Sequence, residues 1–379
     1  MPPPKRNSIE DALREEIVEV PNGIVVPVAK AEKNAPAQQS GVLDAEGNFV
    51  EASSTLRPVG RFNHAPPMPD PADIAYLPGR YMYGGVMFGH FGHFLMDTLA
   101  RIWAVERLRG KIDGVLFTPK VNGKNVAHVL NVQRPLIQGL GMDMEVSQVT
   151  EPTRVDMLYV PYQGLGLSAG WELGTAAFRD HMRRFGGKSV AADGPEKIYL
   201  SRSALGPGLA SYFAEQVLEE HLRAAGYAIV HPQKLPKHEQ IAIYKAARFI
   251  ISPDGSPLHL LAYVGDAEQR VAVSSRRNSL SRVFERQVEA FTGCDAVTIN
   301  CLKHDWLPQG QARPGRLSWG ELDMGKLFDA LLAEGFLPED TPRWPELSEA
   351  EIEAELSRVT AGTGKTYRRY TDDPNRESA

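Results

Sequence analysis

The residues best suited to chemistry lie in one segment where two histidines and an acid follow each other closely. The segment reads GHFGHFLMDTLARIW and runs from Gly89 to Trp103. His93 and Asp97 are four residues apart, so a helix would present both side chains on one face. Such a pair can supply a general base, either an imidazole oriented by the carboxylate or a carboxylate with a hydrogen-bonding partner. Asp97 and His93 are therefore the candidate catalytic residues, with His90 as a neighbour in the same site.

A structural role for the same residues is the alternative. The imidazole would then cap the helix, and Asp97 would pair with Arg101, which lies four residues further on. Three observations favour the chemical interpretation. Gly89 and Gly92 allow close backbone approach at the helix start, two histidines occupy that start, and the apolar residues define the opposite helix face.

A second segment, SPDGSPLH from Ser252 to His259, directly follows a predicted strand. A strand, a tight turn containing Gly255 and a helix that begins at Pro257 form a cradle for an anion such as a diphosphate. The alternative is that Ser256 is an ordinary helix N-cap. The candidate ligand-binding residues of this segment are Asp254, Gly255, Ser256 and His259.

The segment YLSRS places Arg202 just after the first strand of the same predicted sheet. The carboxyl ends of parallel strands share one edge, so this arginine and the Gly255 turn are expected to face one crevice. A guanidinium binds phosphate oxygens through two parallel hydrogen bonds. A solvated surface arginine is the alternative. Arg276 and Arg277, after the fourth strand, would add positive charge at this rim or form a surface pair.

The elements that must hold these residues alternate between strand and helix, which predicts an α/β fold with largely parallel sheets. Residues 76–186 are predicted as an N-terminal α/β domain. Its strands are expected at 83–88, 112–117, 144–149 and 157–161, and its helices at 90–108, 125–140 and 171–185. A linker rich in glycine and alanine follows at 186–195.

Residues 195–305 alternate more regularly and predict a doubly wound, Rossmann-like domain. Its strands are expected at 197–200, 227–231, 248–252, 270–274 and 296–300, and its helices at 212–225, 237–247, 257–264 and 280–292. Residues 1–75 are predicted as an irregular or β extension, 306–361 as a tail with helices at 321–334 and 346–359, and 362–379 as disordered. Two α/β domains facing each other across a cleft would join two substrates, because open sheets bind ligands at the carboxyl ends of their strands.

Composition excludes several classes of protein. The formal net charge is −5 and the pI is about 6.1, so no basic field indicates a nucleic-acid partner. The two cysteines, Cys294 and Cys301, are too few for a disulfide framework and lack the spacing of a zinc site. No apolar run reaches membrane-spanning length, and the N-terminal sequence lacks a signal-peptide core. We expect a soluble, cytoplasmic protein that touches the inner face of the membrane peripherally at most.

Two further motifs resemble ligand-binding elements, but their sequence context excludes that function. The sequence Gly364-Lys365-Thr366 ends like a phosphate-binding loop, but Val359 stands where the first glycine is required. Dispersed acids such as Asp70 and Asp73 lie in a proline-rich stretch and form no metal-binding DxD element. The chain is therefore expected to need neither a metal nor a cofactor.

Three segments together resemble glycosyltransferase family 61, which contains bacterial capsular-polysaccharide-type enzymes and eukaryotic xylosyl- and N-acetylglucosaminyltransferases. They are GHFGHFLMDTLARIW, KIYLSRS and HEQIAIYKAARFIISPDGSPLHLLAYV, and the resemblance runs from about Tyr81 to Ser275. It implies two facing Rossmann-like domains (the GT-B fold), inversion at the sugar carbon and no obligatory metal. It also implies that the second domain binds a nucleotide sugar while the first presents the acceptor and the base.

Residue by residue, His93 and Asp97 match the family's first motif and Arg202 its second, while 254–256 match the diphosphate turn. His90 is then placed in the acceptor site or cleft.

The sequence also departs from the family pattern at three places. Asp254 stands where a histidine is usual, and only Glu215 remains of an Arg-x-x-Asn-Glu element. Val273-Ser274-Ser275 replaces a glutamate that is common after the fourth strand. These departures leave the identity of the donor open.

We therefore expect a hexosyl- or pentosyltransferase that moves a sugar from a nucleotide sugar to a carbohydrate or glycan acceptor, in polysaccharide or glycan biosynthesis. Asp97, with His93, would remove the acceptor proton, and Arg202 with the Gly255 turn would stabilise the leaving diphosphate. The alternative is a non-catalytic relative that binds nucleotides or carbohydrates. An oxidoreductase or epimerase is disfavoured, since no GxGxxG follows a strand.

Overall fold

The structure is a computed structural model and describes residues 8–29, 38–58, 60–123, 126–168, 170–206, 208–278 and 281–370. The predicted helix starts at 125 and 280, and the end of the tail from 371, lie outside these residues.

The described residues divide into two compact units. One comprises 1–191, 259–264 and 290–292, and the other comprises 192–258, 265–289 and 293–379. The chain first passes from one unit to the other after residue 191, inside the stretch predicted as a linker. Each unit contains its own sheet with a core of parallel strands.

The strands are, in chain order, β1 (Ile17–Pro21), β2 (Ile24–Val26), β3 (Gln38–Gln39), β4 (Gly41–Leu43), β5 (Leu56–Arg57), β6 (Gly60–Arg61), β7 (Asn63–His64), β8 (Ala75–Met87), β9 (Gly114–Pro119), β10 (Val146–Gln148), β11 (Thr153–Pro161), β12 (Lys197–Leu200), β13 (Ala228–Val230), β14 (Phe249–Pro253), β15 (Arg270–Ser274), β16 (Asp295–Ile299), β17 (Leu302–Pro308), β18 (Trp319–Leu322) and β19 (Tyr367–Tyr370). The α-helices are α1 (Ile9–Ala12), α2 (Phe91–His93), α3 (Val105–Leu108), α4 (Val126–Gly139), α5 (Ala176–Phe185), α6 (Glu215–Ala224), α7 (Lys237–Ala246), α8 (Pro257–Val264), α9 (Val283–Thr292), α10 (Met324–Ala333) and α11 (Glu349–Thr363). Short 3₁₀ turns occur at Glu51–Ser53, Pro71–Asp73, Leu99–Ala104, Trp171–Leu173 and Pro232–Lys234, and a π-helical turn at Phe94–Thr98.

Seven strands form the main sheet of the first unit within the described residues. The order β10-β9-β8-β11-β2-β4 forms its path, and β1 also pairs with β11. The four strands β8 to β11 are parallel neighbours in the spatial order third, second, first, fourth. This is the order of the first half of a Rossmann sheet, and its switch point lies between β8 and β11. The mixed α/β architecture with parallel strands agrees with the sequence prediction.

The N-terminal extension is more integral to the fold than predicted. Strands β1 and β2 pair antiparallel with β11, and β4 extends the sheet beyond β2. Residues such as Val25 and Val42 are completely buried in the core with Leu158. The short apolar runs of the extension cover the edge that β11 would otherwise expose, so the extension belongs to the first unit's sheet.

In the second unit, five parallel strands form the order β13-β12-β14-β15-β16 in the part of the chain that the structure describes. This is the flavodoxin-like doubly wound order, 2-1-3-4-5, with its switch point between β12 and β14. Buried β-branched residues dominate these strands, for example Ile250, Val271 and Val273, because both faces of a parallel sheet are covered.

The sequence predicts a helical C-terminal tail, but the structure shows that the tail also contains strands. Helices α10 and α11 are present, but β17, β18 and β19 form a small antiparallel sheet. Strand β19 lies in the segment predicted as disordered, and Arg369 covers the ring of Trp306 at 5.0 Å. Pairing with β17 supplies the backbone partners that the polar tail could not provide locally.

Candidate functional site

The segment after β8 carries the first group of candidate residues on an irregular helix. It continues from α2 through the π-helical turn Phe94–Thr98 and the 3₁₀ turn Leu99–Ala104 to α3. The sequence predicted one regular helix here. A π-helical turn is a rare, strained form that is frequent at functional sites, and this one contains Asp97.

His93 and Asp97 are in direct contact in spite of this irregularity. Nδ1 of His93 lies 2.7 Å from Oδ2 of Asp97. The Asp97 side chain is only 2% exposed, whereas that of His93 is 35% exposed. The imidazole thus keeps Nε2 for a substrate, while the carboxylate is hidden behind it. This is the geometry of a base oriented by an acid.

A residue that sequence reasoning missed completes this group. Nη2 of Arg57, in β5, lies 3.2 Å from the same oxygen Oδ2 of Asp97. The amide of Gln163 holds the neighbouring residue Leu56 through both backbone groups, at 2.7 and 3.1 Å. Arg57 is 40 positions from Asp97 in the chain, so no local spacing could have indicated the pair.

The predicted alternative, an ion pair between Asp97 and Arg101, is wrong. Arg101 is buried and donates to the carbonyl oxygens of Pro161, Ala52 and Ser54 at 2.7–2.8 Å. Burial lowers the pKa of its guanidinium to about 10. A side chain at Gly85, whose φ is +106°, would reach 2.9 Å from Nη1 of Arg101, so this glycine makes room for the buried arginine. Arg101 therefore ties the helix to the extension and to the end of β11.

Two buried aromatic rings, Phe62 and Phe88, lie behind His93. The Phe88 ring stacks on His93 at 5.4 Å, and Phe62 packs on Phe88 at 4.9 Å. His90 is exposed, meets His93 edge to face at 5.6 Å, and makes no side-chain cap to the helix it precedes. Lys120 lies 5.5 Å from the Phe88 ring centroid.

Three hydrogen bonds of two side-chain hydroxyls fix the irregular helix. The Thr98 hydroxyl donates to the Val86 carbonyl and accepts from the Phe88 N–H, both at 2.9 Å. The buried Tyr263 hydroxyl donates to the Leu95 carbonyl at 2.9 Å. Burial, and then the charge of Asp97, raise the pKa of Tyr263 well above its ordinary value, so it remains a donor. A π-helical turn disturbs the regular backbone ladder, and these side chains supply partners there.

The role predicted for Gly89 has no steric basis in the structure. A methyl group there would lie 3.6 Å from Val129, an ordinary contact.

The second group lies in the second unit, at the switch point between β12 and β14. Arg202 follows β12, and the Gly255 turn follows β14. A Cβ on Gly255 would lie 3.3 Å from Nη1 of Arg202, so the guanidinium reaches the turn. The Nη2 of Arg202 donates to the Ala210 carbonyl at 3.2 Å, while Nε has no hydrogen-bond partner among the described residues. Burial, and then the like charge of Arg276, lower the pKa of Arg202 to about 10.

Arg276, after β15, lies in the same group. Its Nε donates to Oδ1 of Asp254 at 2.5 Å and to that residue's carbonyl at 2.6 Å. Its Nη1 donates to the Ala210 carbonyl at 2.9 Å, the same oxygen that Arg202 contacts. Asp254 thus neutralises Arg276, and the positive charge of Arg202 is left for a ligand. The carboxylate that departs from the family pattern is accounted for in this way.

A buried acid supports the arginine from behind. Glu215 accepts hydrogen bonds from the Arg202 N–H and the Tyr199 hydroxyl at 2.9 Å and from the Ser211 hydroxyl at 2.6 Å. Burial raises the pKa of Glu215, although these bonds oppose the shift. The acid thereby fixes the loop that follows β12.

The other predicted residues are placed as follows. Pro257 begins α8, so Ser256 stands at the N-cap position and is partly exposed. His259 is 3% exposed and points away from solvent. The hydroxyl of Ser274, at the end of β15, accepts a hydrogen bond from the Tyr212 hydroxyl at 2.8 Å. Where the family commonly has a glutamate, this chain has a short polar side chain that is already engaged.

The described residues contain neither a metal-binding cluster nor a membrane-spanning helix. No group of three His, Cys, Asp or Glu side chains in the described ranges is arranged to hold a metal ion. Among the same residues, no helix has both the length and the apolar character needed to cross a membrane. Two cavities in the first unit, of about 190 and 460 Å³, are lined by neither His93 nor Asp97.

The first unit thus carries a histidine–carboxylate pair, and the second carries Arg202 beside the Gly255 turn. Residues 91–272 match the protein-family model described as Glycosyltransferase 61. The family expected from the motifs is thereby confirmed for this segment, and the match supports glycosyltransferase activity. The match includes His93, Asp97, Arg202 and Gly255, but neither Arg57 nor Arg276.

Among solved structures, the chain is similar to the dodecameric iron-containing heptosyltransferase TibC, determined in complex with ADP-D-beta-D-heptose. The two share 12% identical residues over 77% of this chain and 96% of that chain, with a TM-score of 0.27. A likeness this weak carries no argument about fold or substrate. No curated protein matches the chain significantly.

Proposed function

We propose that this glycosyltransferase moves a sugar from a nucleotide-sugar donor to a carbohydrate acceptor by one inverting displacement, without a metal. The observation that carries the proposal is the placement of Arg202 beside the Gly255 turn, at the switch point of a doubly wound sheet. Ligands of such sheets bind at this point, and a helix N-terminus with a guanidinium suits a diphosphate. The second unit is accordingly the donor unit of a GT-B pair.

The first unit supplies the base. His93 is assigned this role in preference to Asp97, because Asp97 is almost completely buried and already has two partners on one oxygen. Nε2 of His93 takes the proton of the acceptor hydroxyl as the hydroxyl oxygen bonds to the anomeric carbon. The bond between that carbon and the diphosphate oxygen breaks, and the diphosphate leaves with the electron pair. Asp97 orients the imidazole and stabilises its positive charge.

The diphosphate is stabilised by charge at fixed positions. Arg202 and the backbone N–H groups of the turn contact it, while Arg276 stays paired with Asp254. For transfer, the donor and acceptor groups must meet at one sugar carbon, and the facing arrangement of the two units is part of the proposal. We place the reaction in polysaccharide or glycan biosynthesis in the cytoplasm, with at most peripheral membrane contact.

The test is a panel of nucleotide sugars with hexosyl and pentosyl groups, incubated with the purified protein in the presence of EDTA. Release of the nucleoside diphosphate and the configuration of the product are measured. We expect turnover of one or a few donors that survives EDTA, with inversion at the anomeric carbon. Binding without turnover across the panel would instead favour the non-catalytic relative, and loss of turnover in EDTA would overturn metal independence.

A further inference from the structure

We propose that Gln163 is a positioning residue for the transfer reaction, because it holds the strand from which Arg57 reaches Asp97. The inference rests on the proposed function, since it takes His93, the other partner of Asp97, as the base. Gln163 acts through Arg57 rather than on a substrate.

The amide of Gln163 binds the residue next to Arg57 with both of its ends. Its Oε1 accepts the Leu56 N–H at 2.7 Å, and its Nε2 donates to the Leu56 carbonyl at 3.1 Å. Gln163 is 3% exposed, so water competes little for these bonds. Two hydrogen bonds to one residue fix the backbone there, and the direction of the Arg57 side chain depends on that backbone.

The segment that contains Gln163 also holds the irregular helix that carries Asp97. Three hydrogen bonds of 2.7–3.0 Å join residues 161–164 to this helix: Arg101 Nε to the Pro161 carbonyl, Trp103 Nε1 to the Tyr162 carbonyl, and the Gly164 N–H to the Ala100 carbonyl. The strand of Arg57 and the helix of Asp97 are therefore attached to one short segment. That segment sets the distance between the guanidinium and the carboxylate.

The position of Arg57 matters because it shares one oxygen with the base. Nη2 of Arg57 and Nδ1 of His93 lie 3.2 and 2.7 Å from the same Oδ2 of Asp97. A shift of the guanidinium changes how much of the carboxylate charge stabilises the imidazolium that forms during transfer. The Arg57 side chain is 35% exposed, so a fixed backbone limits the conformations from which it can leave Asp97.

The test compares Gln163→Met with Gln269→Met in the full-length protein. Methionine is unbranched like glutamine but cannot make the hydrogen bonds of its amide. Gln269 is a matched control in the second unit, because it is 1% exposed and its amide bonds the Asp266 N–H and the Tyr244 and Ala247 carbonyls. Each variant loses three backbone contacts, so both should show a similar fall in melting temperature.

Only Gln163→Met should also slow the reaction. Its kcat should fall by roughly tenfold with the donor KM changed less than about twofold, because a displaced group near the reacting atoms affects the chemical step and not the bound donor. The double variant with Arg57→Ala should be no slower than Arg57→Ala alone, since the effect passes through the arginine. A wild-type kcat in Gln163→Met, or losses that multiply in the double variant, would overturn the proposal.

A spectroscopic measurement tests the same point without turnover. In protein isotope-labelled at its histidine nitrogens, the imidazole signal of His93, assigned through His93→Ala, reports the hydrogen bond to Asp97. Arg57→Ala and Gln163→Met should shift this signal in the same direction, and Gln269→Met should leave it in place. An unchanged His93 signal in Gln163→Met would refute the inference.

A second variant covers the case in which Gln163→Met does not fold. Gln163→Asn keeps the amide but is one methylene too short to reach Leu56, and the same results are expected of it. The proposed function is judged separately, by release of nucleoside diphosphate in the wild type and in His93→Ala. If that release depends on His93 and Arg57 while both Gln163 variants behave like the wild type, this inference alone is refuted.

Discussion

We assign His93 and Asp97 different roles because the side chain of His93 is accessible and that of Asp97 is buried. Changing Asp97 to Asn keeps its shape but removes the charge that orients and stabilises the imidazole. We expect kcat to fall by roughly 10²–10⁴-fold, as is typical of acid–base catalysis, with donor binding almost unchanged. His93→Ala should lower kcat at least as much, and His238→Ala, at an exposed position, should have no effect. Unchanged transfer by a folded Asp97→Asn variant would contradict the assignment.

The two arginines near the Gly255 turn, Arg202 and Arg276, permit a prediction that does not depend on which nucleotide the donor carries. With inorganic pyrophosphate as the probe, Arg202→Ala should weaken binding by roughly 10–100-fold, since a charge-assisted contact contributes about 1.5–3 kcal/mol. Asp254→Asn should strengthen binding, because it releases Arg276 and removes a negative charge. Calorimetry measures both effects, with Arg316→Ala as an exposed control. Weaker binding by Asp254→Asn would show that the carboxylate helps the ligand.

At the scale of elements, the π-helical turn that holds Asp97 depends on Tyr263. Tyr263→Phe removes one buried hydrogen bond, to the Leu95 carbonyl, and leaves that acceptor without its partner. We expect a loss of about 1–3 kcal/mol in the free energy of unfolding, with a lower melting temperature and a lower kcat. Tyr76→Phe makes the same change at an exposed position and should alter neither. A wild-type melting temperature for Tyr263→Phe would mean that the turn is held by other contacts.

Helix α5 gives the first unit a pH dependence. His181 is buried, its ring contacts the Leu140 carbonyl at 2.9 Å, and burial lowers its pKa from 6.5 to about 4. As the pH falls below 6.5, the unfolded chain takes up a proton that the folded chain does not accept until about pH 4. Stability should therefore decrease over this range, by up to about 3 kcal/mol at its lower end.

The variant His181→Gln keeps a donor for Leu140 and removes the titration. Its urea midpoint should be below that of the wild type at pH 7.5, and the difference should narrow or reverse at pH 5. If the difference in urea midpoint between variant and wild type were the same at both pH values, His181 would be excluded as the source of the pH-dependent stability.

At the scale of the whole molecule, the N-terminal extension completes the first sheet, and we propose that its Arg57 also supports the reaction. Deleting residues 1–29 removes β1 and β2 from β11 and exposes a long strand edge. We expect an insoluble or aggregating product, assessed by solubility and gel filtration. The variant Arg57→Ala tests the proposed role of Arg57 separately from the structural role of the extension. It should fold normally, as measured by circular dichroism, but its turnover should fall by about tenfold or more. A soluble, active deletion variant would show that the extension is dispensable.

The sequence by itself determined the parts of this protein that depend on local spacing. Alternating apolar runs and turn residues predicted the parallel strands, because side-chain periodicity and Gly–Pro turns act over a few residues. The four-residue spacing predicted the contact between His93 and Asp97. Only the tertiary structure decided the partners that come from distant strands. Arg57 and Arg276 lie 40 and 22 positions from the acids that they bind, and strand order brings them together. Burial, which hides Asp97 and exposes His93, likewise follows from packing and has no signature in either residue's neighbours.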